Sequence, residues 1–122
     1  MAKDPKAVLE ALRTIDGYIG AALVDSDSGM TLGTDGGGGV LNLEIAAATN
    51  TEVVRAKRKA MKALNLRDEI EDILITLGQQ YHLIRPMRGR PAVFLYLALD
   101  RGRANLALAR LTLASVESTI SF

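Results

Sequence analysis

His82 is the only histidine in a chain of 122 residues that contains no cysteine, and this narrows the chemistry at once. One imidazole without a Ser or Cys nucleophile beside it builds neither a catalytic triad nor a metal cluster. Set between Tyr81 and Leu83 in an apolar run, it reads as a structural or surface histidine. Asp25-x-Asp27-x-Gly29 begins like a calcium loop, which needs oxygens at alternating positions and a closing acidic residue. Its glycine comes one residue early and Gly36 stands at the closing position, so the segment reads as a hairpin turn. The run Gly36 to Gly39 is followed by Val40-Leu41-Asn42 rather than by the Lys-Ser/Thr of a phosphate loop, and reads as a flexible hinge.

Asp68, Glu69, Glu71 and Asp72 are the remaining acid/base candidates. On a strand Glu69 and Glu71 share one face while Asp72 points to the other, which suits a solvated strand start better than a carboxylate pair. Arg88 and Arg90 flank a turn; an arginine finger would need that placement, but a bare basic hairpin tip is the commoner meaning. No catalytic residues, cofactor site or metal-ligand set can be assembled, so the chain is expected not to be an enzyme.

Binding is the other possibility. Three basic and eight acidic residues precede Arg55, after which Arg55, Lys57, Arg58, Lys59, Lys62 and Arg67 crowd together ahead of the acidic block. Arg55 and Lys59 share a helix face with Lys62 close by, giving a basic ridge that also complements the helix dipole. Arg55, Lys59 and Lys62 are therefore the candidate partner surface. A net charge of +1 argues against nucleic acid as the partner. No apolar run is long enough to span a bilayer, and MAKDPKAVLEAL lacks the order of a signal peptide. The expectation is a cytoplasmic protein with no membrane insertion. Composition agrees: 48% hydrophobic and 24% charged residues describe one globular domain, residues 1–122, with a core of its own.

The elements that position these residues follow from pattern. Asp4-Pro5 starts a helix whose stripe is Val8, Leu9, Leu12 and Ile15. YIGAALVD at Tyr18 to Asp25 is a buried strand, and Met30 to Thr34 its hairpin partner. A long helix runs from about Val40 to Asn65. Glu69 to Leu77 and Gln80 to Met87 are strands, Pro86 marking a strand end. AVFLYLAL at Ala92 to Leu99 is apolar on both pleat faces and reads as a central strand. A last helix spans about Gly102 to Ser118, capped by Asp100. Its two stripes are Ala104, Leu108 and Leu111, and Leu106, Leu113, Val116 and Ile120; the first helix is expected to cover one of them. The order α-β-β-α-β-β-β-α gives an α/β (α+β) domain, a five-stranded mostly antiparallel sheet between helical layers.

The long helix is apolar across roughly 200°, about twice what one core needs. Leu43, Ala47, Val54 and Met61 form a bulkier stripe, and Ile45, Thr49, Val53, Ala56 and Ala60 a stripe of smaller residues. One stripe can face the sheet; the other needs a partner. Small side chains allow close helix approach, so the second stripe is the expected dimer interface.

Three segments carry a family resemblance: IDGYIGAALVDSDSGMTLG at Ile15 to Gly33, RDEIEDILITLGQQYHLIRPM at Arg67 to Met87, and FLYLALDRGRANLALARLTL at Phe94 to Leu113. In these and in its element order the chain resembles the Roadblock/dynein light chain family, bacterial branch. The resemblance implies a profilin-like three-layer sandwich, with the long helix on one sheet face and the terminal helices on the other. It also implies a homodimer with antiparallel long helices, the following strand pairing across the two-fold. This adds Glu71, Ile73 and Ile75 to the expected interface. The partner implied is a small Ras-like GTPase, activated or scaffolded in a bacterial signalling or polarity system, often together with a sensor kinase. The alternative kept beside it is a small-molecule-sensing or adaptor module in a sensor-kinase complex.

Overall fold

The computed structural model describes residues 4–120. Helix α1 (Pro5–Ala11) starts where Asp4 accepts the Ala7 amide at 2.9 Å, and it tightens into a 3-10 turn over Leu12–Thr14. Strands β1 (Tyr18–Asp25) and β2 (Met30–Gly36) form a hairpin, and the long helix α2 (Leu43–Ala63) follows. Then come β3 (Ile73–Thr76), β4 (Gln80–Pro86), β5 (Val93–Asp100) and α3 (Leu106–Glu117). The sheet runs β2-β1-β5-β4-β3 with every neighbouring pair antiparallel, and β5 is central as its two-sided apolarity requires.

Strand alternation sends the core to both faces. Ala21, Leu23, Leu83, Leu95, Leu97 and Leu99 pack against Leu9, Leu12, Ile15, Ala109 and Leu113 of the terminal helical segments. On the opposite face Ala22, Val24, Ile84, Phe94, Tyr96 and Ala98 meet Leu43, Ala46, Ala47 and Val54 of α2. The result is a three-layer α+β sandwich.

Four sequence expectations need correction. The acidic start of the third strand is not strand: β3 begins at Ile73, and Arg110 of α3 forks onto Asp72 at 2.8 and 3.0 Å, while Glu69 and Glu71 stay in solvent. The last helix starts at Leu106, because Asp100 instead accepts the Gly102 amide in a turn and Asn105 caps the helix through the Leu108 amide. The Gly36–Gly39 run is no loose hinge. Gly36, Gly37 and Gly38 have φ of 73°, 83° and 53°, and Gly37 donates to Ile19 and accepts from Val40 and Leu41. This turn delays the long helix to Leu43, where Asn42 caps it through the Ile45 amide. Finally, α1 does not cover the stripe of α3 that carries Leu108 and Leu111: they are 56% and 68% exposed. A helix of seven residues is only about 10 Å long, and it lies on the β1–β2 side of its sheet face.

Candidate functional site

Helix α2 decides the site, since it has two apolar faces and one sheet. Its buried residues are Leu43, Ala46, Ala47, Asn50, Thr51 and Val54, which recur every three or four positions and so lie on one side. The two polar members are satisfied within the helix: Asn50 Nδ2 donates to the Ala46 carbonyl at 2.8 Å and Thr51 Oγ1 to that of Ala47 at 2.7 Å. The bulkier stripe therefore faces home, with Met61 half-buried at its end.

The smaller stripe looks outward. Ile45 is 62% exposed, Thr49 and Ala56 are exposed, and Val53 and Ala60 are half-buried. Thr49 turns its hydroxyl back onto the Ile45 carbonyl at 2.8 Å, so it presents its methyl group outward with no unmet donor. Full burial of a large aliphatic side chain contributes about 1.5–3 kcal/mol, and Ile45 gains little of this within one chain. Ile73 and Ile75 of β3 are half-buried on the same sheet face as α2. Strand β3 is at the edge of the sheet, its one neighbour among the described strands being β4, with Ile73 opposite Ile84 and Ile75 opposite His82. Glu71 stands exposed just ahead of it.

The basic ridge is less free than its sequence suggests. Arg55 donates to the Asp27 carbonyl at 2.7 Å and to Glu52 at 3.1 Å, tying α2 to the β1–β2 turn. Arg58 ties the helix to the β4–β5 turn through the Pro91 carbonyl at 2.6 Å. Lys59 and Lys62 are exposed. Lys62, Arg58 and Arg88 border a surface hollow of about 350 Å³ floored by Met61, Leu66, Ile70 and Met87.

Sequence reasoning missed three polar arrangements, all made by residues distant along the chain. His82 sits half-buried, its Nε2 2.7 Å from Oε1 of Gln80 and its Nδ1 3.1 Å from the hydroxyl of Tyr96. Burial holds the His82 ring below its ordinary pKa and pushes the Tyr96 phenol up to about 12. Asp35 of β2 accepts from Arg13 and, at 2.5 Å, from the Tyr18 hydroxyl. The Arg13 bond above all keeps the Asp35 carboxylate below its usual range. Arg85 and Glu117 pair inside the fold. None of these sets contains a serine, threonine or cysteine, and no group of three potential metal ligands occurs among the described residues.

No family model and no curated protein matches the sequence. Solved structures do match. Myxococcus xanthus MglB superposes with a TM-score of 0.80 over 93% of this chain and 88% of its own, at 18% identity. A Roadblock/LC7 domain from Streptomyces avermitilis gives 0.80 over 95% and 93%, at 14% identity. The gliding protein MglB from Thermus thermophilus gives 0.78 over 94% and 84%, at 17% identity.

This chain has the Roadblock/LC7 fold.

In this Roadblock sandwich the smaller stripe of α2 has Ile45, Thr49 and Ala56 exposed and Val53 and Ala60 half-buried, with Ile73 and Ile75 half-buried on the same face of the sheet. They form an apolar strip crossed by few charges. The candidate site is thus this apolar strip, bordered on the C-terminal side of α2 by Arg55, Lys59 and Lys62. No helix of the described residues is long and apolar enough to cross a membrane.

Proposed function

We propose that this protein is a non-catalytic homodimeric regulator or scaffold that binds a small Ras-like GTPase, acting in the cytoplasm in a bacterial signalling or polarity system. The observation that supports the reading is the stripe of Ile45, Thr49, Val53, Ala56 and Ala60, of which Ile45, Thr49 and Ala56 are exposed although its side chains suit close helix packing. In the proposed dimer two α2 helices lie antiparallel through this stripe, β3 pairs with its copy through Ile73 and Ile75, and Glu71 lies at the margin. Self-association is also favoured by the tetrameric arrangement of an MglB that shares the fold with a TM-score of 0.76 and 17% identity. The GTPase partner rests on the Roadblock resemblance of the sequence together with the fold, and the exposed Lys59 and Lys62 beside Arg55 are its proposed contact.

The test is to immobilise the protein, recover what native lysate leaves on it, and measure GTP hydrolysis by any retained GTPase with and without the protein. A retained small GTPase whose hydrolysis or localisation depends on this protein supports the proposal. Retention of no nucleotide-binding protein moves the reading to the adaptor, a module in a sensor-kinase complex with no GTPase contact. The hollow of about 350 Å³ beside Lys62 and Arg88 is large enough for a small molecule and gives the sensing reading a foothold. A metabolite screen by thermal shift addresses it.

A further inference from the structure

Three segments wall the hollow of about 350 Å³ at the C-terminal end of α2: the last turns of that helix, the segment leading into β3, and the β4–β5 turn. Hydrogen bonds hold each wall in place. Asn65, at a φ of 57°, donates its amide to the Lys62 carbonyl at 3.1 Å, and Leu66 donates to that of Met61 at 2.9 Å. This pair of bonds ends a helix and turns the chain back on it, which brings Leu66 to the wall that carries Met61. The Met87 amide closes the β4–β5 turn on the Val93 carbonyl at 2.8 Å, and Arg58 joins that turn to α2 through the Pro91 carbonyl at 2.6 Å. The hollow is therefore built into the fold, and its volume lies in the range of small-molecule sites.

The charges around it select the ligand. Lys62 stands on the helix wall and Arg88 on the turn wall, while Asp68 and Glu69 stand on the third, all of them exposed. None of these cations and carboxylates forms an ion pair among the described residues. Asp68 accepts the Glu69 amide at 2.9 Å; the other side chains keep their polar groups for solvent or a ligand. A simple anion over this floor meets two cations but also two carboxylates, and a simple cation meets the reverse. A ligand that carries both signs is matched on every wall. Its apolar part can cover Leu66 and the adaptable side chains of Met61 and Met87.

We propose that this hollow binds a small zwitterion with an apolar body, the chemical class of an apolar amino acid, with its carboxylate toward Lys62 and Arg88 and its ammonium toward Asp68 and Glu69. The inference deepens the sensing reading of the proposed function and rests on it for its purpose, but it needs neither the α2 dimer nor a GTPase.

The experiment follows the methionine methyl signals of the protein by NMR during titration with three compounds: phenylalanine, phenylpropionate, which lacks the ammonium, and phenethylamine, which lacks the carboxylate. A docked phenyl ring shifts nearby methyl groups. Met61 and Met87 are expected to shift and saturate with phenylalanine, while Met30, 69% exposed on β2, stays in place. Each analogue is expected to bind about tenfold more weakly, as the loss of one charge-assisted contact implies. Arg88→Gln should weaken phenylalanine and phenylpropionate but not phenethylamine, and Asp68→Asn with Glu69→Gln should weaken phenylalanine and phenethylamine but not phenylpropionate. These positions are exposed, so the substitutions leave the core intact. Binding of either analogue as tightly as phenylalanine makes this a site for one sign of charge and overturns the proposal. A Met30 shift as large as those of Met61 and Met87 overturns it too. A metabolite from the thermal-shift screen that moves Met61 and Met87 where phenylalanine does not overturns the zwitterion and leaves the sensing reading standing. No shift with any compound overturns both.

Discussion

Arg85 Nε donates to Glu117 Oε1 at 3.0 Å, and the two side chains are 7% and 9% exposed. The pair joins the end of β4 to the last turn of α3, so it fixes the helix that carries Leu108 and Leu111. Glu117→Ala leaves a guanidinium buried without its counter-charge, which costs about 3–5 kcal/mol. Replacing both residues by apolar ones of similar size should recover most of that loss. Urea denaturation of the single and double variants checks it; equal destabilisation in both would contradict the pairing as the cause.

Acid should weaken the fold through His82. Burial lowers the pKa of this imidazole below its ordinary 6.5, so the unfolded chain takes up a proton before the folded one does. The stability that follows is complete above about 6.5 and declines as pH falls below it. Protonation also takes away the lone pair at Nδ1 that faces the Tyr96 hydroxyl at 3.1 Å. The melting temperature is therefore expected to fall between pH 7.5 and 5.5, with the dependence flattened in His82→Gln. A slope unchanged by that substitution would assign the effect to other groups.

Asp35 titrates below the usual carboxylate range, chiefly because Arg13 donates to it. A group with a depressed folded pKa stabilises above its unfolded value and loses that contribution as pH falls through the folded one. Arg13→Ala should move the Asp35 carboxyl titration upward, as read by NMR, so that its stabilisation is lost at higher pH. Because Arg13 is largely in water, stability at neutral pH should change little. An unmoved titration would give the credit to Tyr18 instead.

Gly37, like Gly36 before it, has no room for a side chain. Its φ of 83° lies in the left-handed region, and a Cβ there would stand 2.6 Å from the Leu41 carbonyl oxygen. Gly37→Ala should therefore cost about 1–3 kcal/mol from backbone strain alone, while Gly39→Ala, with open space around it, should cost far less. Thermal unfolding of the two variants separates a built turn from a flexible joint.

The layout of the domain was legible because its signals are local or periodic. Asp4-Pro5, the alternation of the strands and the two-sided apolarity of β5 each act over a few residues, and the structure follows them. That α2 carries two apolar stripes was also legible, but which of them faces the sheet was not settled by the pattern; the structure buries Leu43, Ala47 and Val54. What could not be read depends on where distant parts of the chain meet. Asp72 left the strand pattern for Arg110, 38 residues away. Tyr96 reaches His82 across the sheet, and Arg55 is tied to Asp27 rather than standing free. The exposure of Leu108 and Leu111 depends on how short α1 turns out to be, and helix ends are the least certain feature of any pattern.

The outward stripe of α2 is the centre of the account, and the mass of the protein in solution tests it most directly. Ala56 stands in the middle of that stripe and is exposed in the single chain, so Ala56→Glu leaves the fold unharmed while placing a charge at the proposed helix contact. Sedimentation at micromolar concentration should find the wild type as a multiple of the single chain and the variant at half its mass. A wild type that sediments as one chain, or an Ala56→Glu protein of unchanged mass, would contradict the claim.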